Sequence, residues 1–219
     1  MKINTILFDL DGTLVDSNEL ILESFRRTFL KFDPTKNYSK AALLEMMGPP
    51  LYETFREVTD EESVIHEMID YYRKIYVEIE FDYVRLYPYT LEMLSYFKNK
   101  GYNLAIVTTK FLVSAVPSIE EFHINDYIDV VISLDDVKNH KPHPEPVLAA
   151  LNRFDNVMNA VMVGDNYTDL ESGKAAGILT CGLEWSFKKD TLLQTNPTFW
   201  IHSFKDLITQ IEEYNKEES

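Results

Sequence analysis

The chain has 219 residues, of which 45% are hydrophobic, and a formal net charge of -15 from 36 acidic and 21 basic residues. This apolar content is sufficient for a full core and a second small domain. The negative charge disfavours nucleic acid or an anionic membrane as a partner, because both would be repelled. Cys181 is the single cysteine, which excludes an intrachain disulfide, and no segment resembles a signal peptide or a membrane span, so we expect a cytoplasmic protein.

The first apolar run, Ile6-Leu7-Phe8, leads directly into Asp9-Leu10-Asp11-Gly12-Thr13. If the run is a strand, Asp9 and Asp11 leave it on the same side. Two carboxylates this close repel each other, and Mg²⁺, a cation that prefers oxygen ligands, relieves that repulsion. The run therefore predicts a magnesium site at the end of the first strand, although taken alone it also fits an aspartate-rich surface turn.

The interval from Asp16 to Arg85 has no strand-like run and several patterns of helical period, such as Ile65, Met68 and Ile69. We predict an inserted helical domain at 16–85, with residues 1–15 and 86–219 forming the other domain. In this interval Gly48, which precedes two prolines, either begins a helix or directs backbone amides at an anion. Gly48 is therefore a candidate substrate-binding residue.

Further apolar runs in the second half of the chain each precede a polar cluster. The runs and their clusters are Leu104–Val107 before Thr108 and Thr109, Val130–Ile132 before the loop that holds Lys141, and Ala160–Val163 before Asp165 and Asp169. Strands that alternate with helices predict an α/β fold with a doubly wound parallel sheet. Such a sheet brings the carboxyl ends of its strands into one crevice, where ligands bind.

In this order the motifs resemble those of the haloacid dehalogenase superfamily. The resemblance implies a Rossmann-like core with a helical cap domain inserted after the first motif, and a cap that selects the substrate. It implies that Asp9 is the nucleophile and Asp11 the general acid and base. It further implies that Thr108, Lys141 and the backbone near Thr109 bind the transferring phosphoryl group. Mg²⁺ would then be held by Asp9, Asp11 and Asp165, while Asp169 orients a ligand or Lys141.

The helical interval resembles the branch that contains inorganic pyrophosphatases and phosphoglycolate phosphatases, through Asp16-Ser17-Asn18-Glu19-Leu20-Ile21 and Gly48-Pro49-Pro50-Leu51. One departure is the segment Tyr87-Pro88-Tyr89-Thr90, which stands where many phosphoglycolate-type members resemble Tyr-Pro-Gly-Val, so that Tyr89 replaces a glycine. We therefore expect a magnesium-dependent phosphatase acting on pyrophosphate or a small phosphomonoester. Asp11 favours phosphate over halide, because halide leaves without protonation. A sugar phosphomutase of the same family and a phospho-aspartate receiver module remain the alternatives.

Overall fold

The computed structural model describes residues 1–47 and 49–218. The chain divides into two compact units, one formed by residues 1–15 with the chain from Leu86 onward, and the other by Asp16–Arg85. Within the described ranges, no helix has the length and apolar character that crossing a membrane requires.

The strands of the described chain are β1 (Thr5–Phe8), β2 (Val15–Asp16), β3 (Arg85–Leu86), β4 (Asn103–Val107), β5 (Val130–Ile132), β6 (Ala160–Gly164), β7 (Leu179–Leu183) and β8 (Phe199–Ile201). Six of them form one parallel sheet in the order β5-β4-β1-β6-β7-β8. The chain passes from β1 to β4 and β5 on one side, and then to β6 on the other. The strand order therefore reverses at β1, which is where an open parallel sheet forms its ligand crevice.

The first unit carries the helices α5 (Thr90–Asn99), α6 (Leu112–Glu121), α7 (Glu145–Leu151), α8 (Tyr167–Ala175), α9 (Lys189–Gln194) and α10 (Phe204–Glu217). Short 3₁₀ turns lie at Ile124–Asp126 and Leu134–Asp136. The second unit consists of α1 (Asn18–Phe32), α2 (Lys40–Glu45), α3 (Leu51–Arg56) and α4 (Glu62–Tyr83). The predicted α/β class with a parallel sheet is confirmed.

Strand β1 is buried along its whole length, as expected for an apolar run in the middle of a parallel sheet. Its last residue, Phe8, pairs in register with Ile106 of β4 and with Val163 of β6. The residues that follow these positions therefore leave the sheet at one edge. This register determines where the polar clusters lie.

The helical unit has a core of its own. Helix α1 buries Phe25 and Phe29 on one face, and α4 buries Tyr72 opposite them. The Phe25 and Tyr72 ring centroids are 4.9 Å apart, and Phe55 of α3 meets Phe25 edge to face at 5.9 Å. Burial of Leu43 of α2 and Phe55 of α3 in this core, rather than helix propensity, accounts for the stability of these short helices.

Candidate active site

Asp9 is the first residue after β1, and its backbone N–H donates to the carbonyl of Val163, 3.0 Å away. Its carboxylate is largely buried and accepts a hydrogen bond from Lys141 Nζ at 2.7 Å. Burial raises the pKa of Asp9 to about 7, an effect that Lys141 opposes and the charge of Asp169 reinforces. A nearby cation that lowers this pKa would keep the Asp9 carboxylate ionised, and therefore able to act as a nucleophile, at neutral pH.

Lys141 is the buried cation of the site, with a side chain that is 2% exposed. Its ammonium contacts Asp9 Oδ1 at 2.7 Å, Asp169 Oδ1 at 2.6 Å and the carbonyl of Val107 at 2.8 Å. An ammonium has three protons to donate, so these partners use all of them. Burial lowers the pKa of Lys141, but the charges of Asp169 and Asp9 outweigh it and raise the pKa above its ordinary value. The lysine is therefore charged.

Two glycines make room for the carboxylates of Asp165, which follows β6, and Asp169, which lies in α8. A Cβ atom at Gly164 would lie 2.3 Å from Asp169 Cβ, and one at Gly12 would lie 2.4 Å from Asp165 Oδ2. Gly12 also has a φ of +81°, a left-handed conformation that favours glycine. Asp169 is fixed in addition by the backbone N–H of Asn166, which donates to Oδ2 at 2.9 Å and caps α8. The glycines therefore permit a close approach that a larger residue would block.

Asp9, Asp165 and Asp169 form a group of carboxylates in which one oxygen of each residue lies within 4.8 Å of one oxygen of the others. Burial raises the pKa of Asp165 well above its ordinary value, and the charges of Asp169 and Asp9 raise it further. One lysine among three carboxylates leaves an excess of negative charge. A hard divalent cation with oxygen ligands fits this donor set, because it would compensate that charge. The residues present are therefore suited to Mg²⁺.

Asp11 lies apart from that group. Its carboxylate oxygens are 3.1 and 3.0 Å from Lys110 Nζ, and its side chain is 20% exposed. Thr108 follows β4 directly and is buried, and its hydroxyl oxygen accepts a hydrogen bond from the backbone N–H of Lys110 at 3.1 Å. The next residue, Thr109, is exposed. The structure thus places the Asp11 carboxylate against Lys110, and its role as a metal ligand stays a prediction.

Sequence reasoning missed the loop after β7, which also borders the site. Trp185 Nε1 donates to the carbonyl of Gly12 at 3.2 Å, and the hydroxyl of Ser186 donates to the carbonyl of Asp165 at 2.6 Å. Burial lowers the pKa of Lys188, and the nearby charge of Asp165 opposes that effect. If the segment Leu179–Leu183 is interpreted as a fifth strand of the parallel sheet, Trp185 and Ser186 are expected at the same edge as the other polar clusters.

Of the site residues singled out from the sequence, the structure brings together Asp9, Lys141, Asp165 and Asp169, and it places Asp11 and Thr108 at the same edge of the sheet. Gly48 lies outside the described residues. The grouping follows from the register of β1 with β4 and β6, because Thr108 and Asp165 each stand two residues beyond the partners of Phe8.

A family model described as haloacid dehalogenase-like hydrolase matches residues 6–183. Pyrophosphatase PpaX from Bacillus pumilus (strain SAFR-032) is 39% identical over 208 residues, which cover 94% of this chain and 95% of that protein. A predicted phosphatase from Clostridium acetobutylicum has a TM-score of 0.82 at 27% identity, covering 97% of this chain and all of that one.

A predicted phosphoglycolate phosphatase from Haemophilus somnus 129PT has a TM-score of 0.85, covering 95% of this chain and 98% of that one. Its identity is 23%, so this likeness concerns the fold alone. Together the matches confirm the resemblance and the class of enzyme that the motifs indicate.

Proposed function

Because the chain belongs to the haloacid dehalogenase-like hydrolase family, we propose that it is a magnesium-dependent phosphatase acting through an aspartyl-phosphate at Asp9. The substrate is inorganic pyrophosphate or a small phosphomonoester such as phosphoglycolate. The observation that carries the proposal is the position of Asp9 at the strand-order reversal, 2.7 Å from the buried ammonium of Lys141.

We assign Mg²⁺ to the carboxylates of Asp9 and Asp165, and Asp11 stays a predicted ligand. Asp169 belongs to the same cluster, but its oxygens already accept hydrogen bonds from Lys141 and from the N–H of Asn166. It therefore acts mainly by holding Lys141. Bound Mg²⁺ supplies positive charge that stabilises the charge developing on the phosphoryl oxygens.

The protein residues account for the bond changes. A carboxylate oxygen of Asp9 attacks phosphorus, and the bond from phosphorus to the leaving oxygen breaks as the new bond forms. Asp11 donates a proton to that leaving oxygen. It then removes a proton from a water molecule that attacks the aspartyl-phosphate, which releases phosphate and restores Asp9.

Thr108 and Lys141 are placed to bind the transferring group. Lys141 already contacts the nucleophile, so a phosphoryl group that approaches Asp9 also approaches the ammonium. The Thr108 oxygen accepts a hydrogen bond from the N–H of Lys110, which leaves its own proton to donate to a phosphoryl oxygen. The Thr108 hydroxyl and the positive charge of Lys141 stabilise the equatorial oxygens, where charge accumulates during transfer.

The experiment is a panel of phosphate-release assays with and without Mg²⁺, comparing pyrophosphate, phosphoglycolate, sugar phosphates and nucleotides. We expect Mg²⁺-dependent release with a preference for pyrophosphate, since that is the substrate named for the Bacillus relative. Asp9→Asn should abolish turnover, whereas Asp155→Asn, at an exposed carboxylate, should not. Substantial activity in Asp9→Asn would remove the assignment, and isomerised sugar phosphate with little free phosphate would favour a mutase.

A further inference from the structure

The two lysines of the site hold different carboxylates. Lys141 is buried and contacts Asp9, the proposed nucleophile. Lys110 contacts Asp11, the proposed acid, and lies nearer to solvent, since its side chain is 16% exposed against 2% for Lys141. The positive charges are therefore divided between the attacking side and the leaving side of the reaction.

The backbone fixes Lys110 at this position. Its N–H donates to the hydroxyl oxygen of Thr108 at 3.1 Å, and its carbonyl accepts from the N–H of Leu134 at 2.9 Å. Its Nζ atom lies 3.0 and 3.1 Å from the two oxygens of Asp11. Lys110 is thus held within one hydrogen-bond length of the group that meets the leaving oxygen.

We propose that Lys110 selects substrates whose leaving group is itself an anion, a specificity role that rests on the proposed function. Asp11 must contact the leaving oxygen in order to protonate it. The atoms attached to that oxygen therefore lie beside Lys110. A second phosphate or a carboxylate at that place accepts a charge-assisted hydrogen bond from the ammonium, whereas a neutral alcohol group does not.

Charge explains why such a residue is needed. The protein carries a net charge of -15, and the site already contains Asp9, Asp11, Asp165 and Asp169. The anionic end of a leaving group would meet the carboxylate of Asp11. Lys110 offsets that repulsion and offers the anion a partner. Pyrophosphate and phosphoglycolate share this chemistry, because each leaving group bears its own negative charge.

The test compares Lys110→Met with the wild-type protein on three substrates: pyrophosphate, phosphoglycolate and 2-hydroxyethyl phosphate. The last resembles phosphoglycolate with the carboxylate replaced by a neutral group. We expect kcat/KM to fall by about tenfold to a hundredfold on the two anionic substrates and by less than about threefold on the neutral one. Lys110→Arg should retain most of the preference, because it keeps the charge.

The matched control is Lys98→Met, which removes a lysine paired with Asp129 at the opposite edge of the sheet. It should leave all three values unchanged. Equal losses on the three substrates in Lys110→Met would overturn the inference, because Lys110 would then only position Asp11. A wild-type protein that hydrolyses none of the three would instead refute the proposed function.

A binding measurement tests the specificity role of Lys110 independently of the proposed phosphatase function. Calorimetry with methylenediphosphonate and methylphosphonate, neither of which can be hydrolysed, reports recognition without turnover. Lys110→Met should weaken the diphosphonate by about tenfold or more and the monophosphonate by little. Equal affinities of wild type and variant for the diphosphonate would contradict the role of Lys110 whether or not the protein turns over substrate.

Discussion

Asp165 shares a buried site with Asp9 and Asp169, and the three carboxylates repel one another. In Asp165→Asn without metal, we expect a free energy of unfolding no lower than that of the wild type, because one repelling charge is gone. Mg²⁺ should raise the melting temperature of the wild type, with a gain of about 2.7 kcal/mol at a concentration one hundred times the dissociation constant. Thermal unfolding with and without Mg²⁺ measures both effects.

The variant should gain little from Mg²⁺, because an amide replaces a charged ligand. Asp155→Asn, at an exposed carboxylate, should respond to Mg²⁺ as the wild type does. Equal stabilisation of Asp165→Asn and wild type by Mg²⁺ would place the cation elsewhere.

Tyr89 precedes α5 in a left-handed conformation, with φ of 68°, and Lys205 Nζ lies 3.8 Å from its ring centroid. A residue with a Cβ atom in this conformation costs about 1–2 kcal/mol. Tyr89→Gly should therefore be more stable than Tyr89→Ala by about 1 kcal/mol, because both lose the lysine contact but only alanine keeps the strain. Urea unfolding of the two variants measures the difference.

The same pair of substitutions at Glu92, an exposed position inside α5, provides the comparison. There glycine should be less stable than alanine by about 1 kcal/mol. If Tyr89→Ala were as stable as Tyr89→Gly, the backbone of residue 89 would not be strained. The sequence marks Tyr89 only as a departure from a family pattern. The structure shows that the backbone is left-handed at this position, which is the conformation that favours glycine.

At the scale of elements, the 3₁₀ turn Leu134–Asp136 is capped at Ser133 by a carboxylate. Asp136 Oδ2 accepts hydrogen bonds from the backbone N–H and the hydroxyl of Ser133, each at 2.8 Å. The backbone hydrogen bond, followed by that of the side chain, lowers the pKa of Asp136 below its ordinary value. A lowered folded pKa means that the carboxylate stabilises the turn above the pKa of the unfolded chain, and that this contribution is lost as the pH falls through the folded value.

Asp136→Ala should therefore lower the free energy of unfolding by about 1 kcal/mol near neutral pH, the usual effect of losing a cap. The difference from wild type should shrink as the pH falls below the pKa of the unfolded carboxylate, about 4, and then through the lower folded value. Urea unfolding across this range is the measurement, with Asp155→Ala as an exposed control. A difference that stays constant with pH would show that the charge of Asp136 does not stabilise the turn.

The strands that the sequence predicts are those whose apolar residues run without interruption. Strands β1, β4, β5 and β6 are of this kind. Strand β7 was not predicted, because Thr180 and Gly182 interrupt its apolar residues. Strand β8 was not predicted either, although its three residues form an apolar run as long as that of β5. The missed end of β7 explains why Trp185 and Ser186 were not expected near the site.

In the whole molecule, each unit has its own core. A cavity made by a substitution in one core should therefore destabilise mainly the unit that contains it. Phe55 is fully buried in the helical unit, and Phe97 is fully buried in the unit that contains the sheet. Phe55→Ala should cost about 3–5 kcal/mol and speed amide hydrogen exchange most within Asp16–Arg85. Phe97→Ala is the matched control and should have the opposite pattern. Exchange that accelerates equally in both units in either variant would contradict separate cores.

The grouping of Asp9, Lys141, Asp165 and Asp169 could be anticipated from the sequence, because parallel strands bring polar residues at their carboxyl ends together. The pairing of Lys110 with Asp11 could not. Which carboxylate a lysine meets depends on side-chain directions that no spacing encodes. The metal ligand set from the sequence, Asp9, Asp11 and Asp165, stays a prediction.

A phosphoenzyme at Asp9 can be detected directly in Asp11→Asn with p-nitrophenyl phosphate as the substrate. That leaving group departs without a proton, so the intermediate should form, while the loss of the base at Asp11 slows its hydrolysis. Acid quenching, borohydride reduction and peptide mass spectrometry should then show homoserine in place of Asp9, only when substrate is present. Release of nitrophenol with Asp9 unmodified would contradict the account.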